Sequence, residues 1–309
     1  MKTLRLFVSL CAATFLLAGP ASGEPGPSPA AEQPDLAYGA YQRGFYLTAK
    51  QEAEKRLEKN PKDTAAMTLL GELYSQGIGV VPDPKIAAEW YEKAARLGDA
   101  HAKATLGLLM IEGVGIPKNP AQGKALLEQA AGAGNALASY NLALLLLSSG
   151  APVEAAHASM LIRRAADNEI PDAQHALGVL YLKGHGVDKN LAEAAKWFLK
   201  AAQNGSTAGE VEYAILLFNG EGVPANEELA AKYFKRAAYA GNAIAQNRLA
   251  RMYAVGKGVS KDKVEAASWH MAAAAQGLSD AWLDADLRDL TRDERAKAER
   301  LMLERINTQ

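Results

Sequence analysis

A pair of glycines separated by one residue recurs along this chain at nearly constant spacing. The pairs begin at Gly77, Gly113, Gly184, Gly220 and Gly256, in steps of 36, 71, 36 and 36 residues. Because 71 is one less than two periods, a further copy without the glycines is predicted between the second and third pairs. We therefore expect the 309 residues to form a stack of similar units, each in contact with its neighbours, and not two globular domains.

Two further patterns keep the same register. Two bulky residues recur as Trp90-Tyr91, Leu126-Leu127, Leu161-Ile162, Trp197-Phe198, Tyr233-Phe234 and Trp269-His270. An alanine pair follows four residues after the start of each bulky pair, from Ala94-Ala95 in the first copy to Ala273-Ala274 in the last. These patterns predict six repeats with many small contacts between closely packed helices, which explains why aromatic residues make up only 7% of the chain.

Each repeat is predicted to contain two helices joined by the glycine turn. In the first copy, Ala66, Leu70 and Leu73 have the i, i+4, i+7 spacing of one helix face. The glycines end this helix, since they adopt the left-handed backbone that a tight reversal needs. Asp83-Pro84 and Asn119-Pro120 then place a capping side chain before a proline at the first position of the second helix.

The segment LGELYSQGIGVVPDPKIAAEWYEKAARLGDA resembles a Sel1-like repeat, a relative of the tetratricopeptide repeat. This resemblance implies an all-α fold, a right-handed α/α superhelical solenoid of about six helix-turn-helix repeats. The predicted boundaries are 64–100, 101–136, 137–172, 173–208, 209–244 and 245–281. Residues 36–63 resemble a tetratricopeptide unit, and residues 282–309 are predicted to form C-terminal capping helices that begin with a capping box at Thr291 and Glu294.

The third copy departs from the family pattern. The segment Ser149-Gly150-Ala151-Pro152 replaces the glycine pair, and one residue is lost. We expect a local change of superhelical twist at this point.

The N-terminal segment has the features of an export signal. Lys2 and Arg5 precede a short apolar stretch, and Ala21 and Gly23 are the small residues that a signal peptidase requires. We expect a signal peptide over 1–23, a Pro-rich linker over 24–35, and an exported protein without stable membrane insertion. The periplasm is the expected location and secretion is the alternative; the single cysteine, Cys11, would leave with the signal peptide.

The sequence contains few candidates for catalytic, cofactor-binding or metal-binding residues. The net charge of -1 argues against nucleic-acid binding, which needs a basic face. The five histidines occupy different repeat positions without the spacing of helical metal ligands; they are His101, His157, His175, His185 and His270. We therefore predict no catalytic residue, cofactor or metal. The C-terminal acidic residues are interpreted as a solvated helix face; they are Asp280, Asp284, Asp286 and Asp289.

The resemblance implies that the first helix of each repeat lines the concave side of the solenoid. In the middle repeats the corresponding positions form a mainly apolar stripe, consisting of Leu108, Ile111, Tyr140, Leu144, Leu147, His175, Val179, Leu182, Ile215 and Phe218. Asn141, Glu212 and Arg248 are predicted on its rim. Two interpretations stay open, because the stripe could be a groove for a peptide or could be core packed between neighbouring repeats.

Two functional hypotheses follow from the resemblance. The first is a non-enzymatic exported adaptor that binds a protein or peptide through the concave face, possible settings being envelope signalling and secretion. The alternative is a β-lactam-binding or β-lactam-hydrolysing enzyme, as associated with cysteine-rich Sel1-like proteins. This chain lacks the cysteines that mark that group, which favours the adaptor.

Overall fold

The structure is a computed structural model that describes residues 35–149 and 152–307. Throughout these residues, every regular element is an α-helix. The prediction of an all-α chain built from helix pairs is confirmed. The predicted signal peptide 1–23, with Cys11, lies outside the described residues, as does the predicted linker 24–35 except Asp35, which caps the first helix.

The chain divides into two compact units between Leu145 and Leu146. Unit 1 contains α1 (Leu36–Gln42), α2 (Tyr46–Lys59), α3 (Thr64–Gln76), α4 (Pro84–Arg96), α5 (Ala100–Glu112), α6 (Pro120–Gly132) and most of α7 (Ala136–Ser149). In this unit α3 packs on α4 and α5 on α6, and α4 in turn contacts α5. The first and second predicted repeats are thus helix pairs, and the second helix of the first pair also contacts the second pair.

Unit 2 follows the same plan. It contains the end of α7 and then α8 (Pro152–Asp167), α9 (Pro171–Lys183), α10 (Leu191–Gln203), α11 (Thr207–Asn219), α12 (Glu227–Tyr239), α13 (Ala243–Val255), α14 (Lys263–Ala275), α15 (Ala281–Asp286) and α16 (Arg292–Asn307). The pairs α9 with α10, α11 with α12 and α13 with α14 pack together, and α16 packs on α14. First helices of neighbouring repeats also meet, since α9 contacts α11.

The third predicted repeat spans α7 and α8 in the sequence. The connection between the two helices contains Gly150 and Ala151, which lie outside the described residues. The change of twist expected at this connection therefore also lies outside them.

The glycine turns have the predicted backbone. Gly113 ends α5 with a φ of 80°, and its amide donates to the carbonyl of Leu109 at 2.7 Å. The second glycine of the pair has a further role, because a Cβ on Gly115 would lie 2.0 Å from the carbonyl oxygen of Pro84. Pro84 begins the second helix of the preceding repeat, so the turn of one repeat touches the backbone of the one before it.

The predicted helix caps are also confirmed. The Asp83 carboxylate accepts hydrogen bonds from the amides of Lys85 and Ile86 at 2.9 and 3.1 Å, and Pro84 is the first residue of α4. Asn119 caps α6 in the same way. At the start of α16 the amide of Thr291 donates to the Glu294 carboxylate, and the amide of Glu294 donates to the Thr291 hydroxyl.

The core of each repeat combines one large residue with small neighbours. Tyr91 is fully buried, and a Cβ on Gly71 would lie 2.9 Å from its ring. Phe198 is fully buried opposite Gly178 in the same way, at 2.6 Å. The small residues therefore allow the two helices of a repeat to approach closely, as predicted.

Candidate protein-binding surface

The residues predicted to line a groove lie on the first helices of their repeats, and unit 1 contains four of them. Leu108 is 2% exposed and Tyr140 is 9% exposed, so both side chains pack in the interior. Ile111 and Leu144 are half-buried. In unit 1 the stripe therefore includes interior packing as well as surface.

Unit 2 contains the other six predicted residues, all of which are half-buried; they are Leu147, His175, Val179, Leu182, Ile215 and Phe218. Val179 and Leu182 on α9, and Ile215 and Phe218 on α11, pack on one side against the core of unit 2. Since α9 contacts α11, these side chains occupy equivalent positions on adjacent helices. We call His175, Val179, Leu182, Glu212, Ile215 and Phe218 the first-helix face of unit 2.

Two polar residues accompany the apolar residues of this face. The ring of His175 lies 5.6 Å from that of Phe198, and burial lowers the pKa of His175. Burial raises the pKa of the Glu212 carboxyl, and the positive charge of Lys183 partly offsets this increase. Neither side chain makes a hydrogen bond or an ion pair with another described residue. Both groups could therefore form polar contacts with a partner.

A cation borders the face at Phe218. The ammonium nitrogen of Lys257 lies 5.6 Å from the centre of the Phe218 ring and 3.4 Å from the Glu227 carboxylate. Because Lys257 is exposed, this end of the apolar set meets solvent.

At the N-terminal end, Glu72 of the first repeat occupies the position that Val179 and Ile215 hold in unit 2. The Tyr41 hydroxyl of α1 donates to its carboxylate at 3.0 Å, and the Gln76 side chain donates to the same oxygen at 3.0 Å. Burial raises the pKa of Glu72, and burial with the nearby Glu72 charge raises the pKa of Tyr41 to about 12. A polar contact with α1 therefore takes the place of an apolar surface in this repeat.

At the C-terminal end, the interpretation of Asp280 as part of a solvated helix face is wrong. Asp280 is 8% exposed, and the Arg251 guanidinium donates to both of its oxygens at 2.6 and 2.8 Å. Asn247 adds a hydrogen bond at 2.8 Å, and Asp280 also caps α15. The Arg251 hydrogen bonds hold the pKa of Asp280 well below its usual range. Asp284 and Asp289 are exposed, as expected, whereas Asp286 is half-buried, with one carboxylate oxygen shielded from solvent.

An open recess of about 540 Å³ lies beside this pair, between α13 and residues 278–282, which lead into α15. Its lining includes Ile244, Asn247, Arg248, Arg251, Leu278 and Trp282. Arg248 was predicted as a rim residue, but Ile244 and Trp282 were not identified from the sequence. The repeat pattern stops near Ala281, so no register position marked Trp282 as part of a surface.

The described residues contain no group of three or more His, Cys, Asp or Glu side chains placed to hold a metal ion. Nor does any helix within 35–149 or 152–307 combine the length and apolar character that crossing a membrane requires.

A family model described as the Sel1 repeat matches five segments, which together cover more than half of the chain; they are residues 64–99, 100–135, 171–206, 208–242 and 243–278. The matched segments begin within two residues of the predicted repeats. The third predicted repeat, with its altered turn, is not among them. No curated protein matches the sequence.

The solved structures that are similar to this one include two Sel1-type repeat proteins. A Sel1 repeat protein from Oxalobacter formigenes is 25% identical, with a TM-score of 0.58 over 86% of this chain and 82% of its own. The second is c5321, a protective antigen of uropathogenic Escherichia coli strains that displays an SLR fold. It is 27% identical, with a TM-score of 0.56 over 88% of this chain and 68% of its own.

Proposed function

We propose, since the chain belongs to the Sel1 repeat family, that this protein is a non-enzymatic scaffold that binds a protein or peptide through the first-helix face of unit 2. Sel1 repeats usually mediate protein interactions, and proteins built from them are generally non-catalytic. The family thus supports the class of function, and the structure suggests which surface performs it.

One observation carries this proposal. Four apolar side chains lie half-buried on adjacent helices, beside a histidine and a glutamate without internal hydrogen-bond partners. Fully buried residues would be core, and scattered exposed ones would be ordinary surface. A partly exposed apolar set, with solvent-accessible polar groups beside it that have no partner within the described residues, is typical of a surface that a partner covers.

The proposed setting is the cell envelope. The basic residues, apolar stretch and small residues of 1–23 support export, with the periplasm as the proposed destination and signalling or secretion as possible roles. Cell fractionation followed by N-terminal sequencing tests this. A mature protein that begins at or near Glu24 in the periplasmic fraction is expected, and a full-length protein in the cytoplasm would contradict it.

Binding is tested with a display library of random peptides selected on the purified protein. Peptides that bind the wild type should bind Leu182→Asp at least about tenfold more weakly, because the substitution places a charge in the apolar face. Circular dichroism checks that the variant keeps its helices.

Met160→Asp is the matched control, since Met160 is an apolar residue of α8 that is 71% exposed. It should bind the selected peptides as the wild type does. If both variants fold and bind equally well, or if a folded wild type selects no peptide, the proposed function is wrong.

A further inference from the structure

The recess between α13 and α15 has a charge that its own residues do not balance. Its lining contains two arginines, Arg248 and Arg251, and a single carboxylate, Asp280, so the lining has one positive charge in excess. The Arg251 guanidinium donates hydrogen bonds to the Asp280 carboxylate. This carboxylate also accepts hydrogen bonds from Asn247 and from the amides of Trp282 and Leu283. Asp280 is thereby neutralised, and Arg248 supplies the excess charge.

Arg248 is available to a ligand. Its side chain is exposed, and it forms no ion pair with any described residue. A guanidinium pairs best with a planar anion that accepts two parallel hydrogen bonds, as a carboxylate does. Phosphate sites in proteins commonly gather several arginines, and here only one is uncommitted.

The walls beside Arg248 are apolar. Trp282 is 43% exposed and Ile244 is 50% exposed, which leaves a large apolar area open to solvent. The Arg251 guanidinium lies 5.3 Å from the centre of the Trp282 ring and so helps to hold the indole in place. A ligand that fits this recess therefore has a carboxylate and an apolar group close together.

We infer that the recess binds the C-terminal residue of a partner peptide, with its carboxylate on Arg248 and an apolar side chain between Ile244 and Trp282. A C-terminal residue has both groups on one Cα atom, whereas an internal Asp or Glu has only the charge. The recess volume of about 540 Å³ is sufficient for such a residue.

This inference rests on the proposed function and specifies the partner more closely. Arg251 of α13 occupies the position of Ile215 in α11, so the recess continues the same row of first-helix positions within unit 2. A peptide that crosses α9 and α11 would reach the recess at its end.

The test uses the full chain and N-acetylleucine as the smallest probe with both groups. Four indole N–H signals are expected in the NMR spectrum, one for each tryptophan, and Trp282→Phe assigns one of them to Trp282. N-acetylleucine should shift the Trp282 signal saturably, with a dissociation constant on the order of millimolar. N-acetylleucinamide should not shift it, because it lacks the carboxylate.

Arg248→Gln should abolish the shift, while Arg300→Gln, which removes an exposed arginine of α16, should leave it unchanged. Equal effects of the acid and the amide, or an unchanged response in Arg248→Gln, would overturn the inference. So would an absence of any shift.

This result is independent of the peptide selection. If the library yields peptides whose binding depends on Leu182 while N-acetylleucine has no effect, the proposed function stands and the recess inference fails. A library displayed with free C-termini should be enriched in apolar last residues, and enrichment only at internal positions would also contradict the inference.

Discussion

At the scale of single residues, the glycines after the helices fall into two kinds. Gly134 has a φ of 90°, but a Cβ on it would meet no atom within 4 Å. Gly115 has a φ of 69°, and its Cβ would collide with the carbonyl group of Pro84. Both positions favour glycine because of backbone conformation, but only Gly115 is also required by a neighbouring backbone.

This difference predicts unequal costs for the same substitution. Gly134→Ala should lower the free energy of unfolding by about 1 kcal/mol, the cost of a left-handed alanine. Gly115→Ala should cost roughly 2–4 kcal/mol, because the backbone of α4 or of the turn must also move. Urea denaturation of the two variants measures both free energies of unfolding. Equal decreases in the two variants would show that the close contact with Pro84 adds no cost to the substitution.

The same scale shows what the sequence could not reveal about the candidate surface. Leu108, Val179 and Ile215 hold the same position in their repeats, yet Leu108 is interior and the other two are half-buried. Exposure is determined by the side chains of neighbouring helices, which differ between repeats although the register does not. The sequence therefore predicted the stripe but could not separate groove from core within it.

At the scale of helices, local sequence signals were sufficient to predict where helices begin. Helix ends depend on residues within one turn of the chain, so Asp83, Asn119 and the pair of Thr291 and Glu294 were recognisable as caps. Asp280 was misjudged because its partner Arg251 lies 29 residues earlier. No local pattern indicates such a pair.

The Asp280 cap of α15 predicts a pH effect. Because Arg251 lowers the pKa of Asp280 in the folded state, its contribution to stability is present above the unfolded pKa of about 4 and is lost as the pH falls further. Asp280→Asn should therefore destabilise unit 2 at pH 7, by about 1 kcal/mol.

Unfolding midpoints measured between pH 7 and pH 3 test this prediction. The difference between wild type and Asp280→Asn should decrease below pH 4. Asp289→Asn removes an exposed carboxylate from the following turn and should change the midpoint little. A difference that stays constant with pH would mean that the carboxylate charge does not contribute.

At the scale of the whole molecule, contacts run mainly between neighbouring helices. Within each of the two compact units, neighbouring helix pairs contact each other, as α4 contacts α5 in unit 1 and α10 contacts α11 in unit 2. In such a chain stability is close to a sum of repeat and interface contributions, so a local defect should have local effects.

Hydrogen exchange tests how far a defect spreads. Leu127→Ala removes a fully buried side chain of α6 and should cost about 3 kcal/mol. Amides of α5 and α6 should then exchange faster, by on the order of a hundredfold, while those of α12 to α14 keep their wild-type rates.

Phe234→Ala in α12 provides the reciprocal variant, since Phe234 is 2% exposed. It should accelerate exchange in unit 2 and leave α5 and α6 unchanged. Uniform acceleration across both units in either variant would indicate one cooperative body instead.

The contact of Gly115 with Pro84 also bears on how such a chain changes length during evolution. The same contact recurs where Gly186, Gly222 and Gly258 meet the backbones of Ala155, Leu191 and Glu227. In each case the two partners are 31 positions apart in the chain, so an insertion or deletion between them would bring the wrong atoms together. Recombination that adds or removes one complete period leaves every such pair intact. Genes for proteins of this kind are therefore expected to grow and shrink by duplication or loss of whole repeats, whatever the point within the repeat at which the crossover occurs.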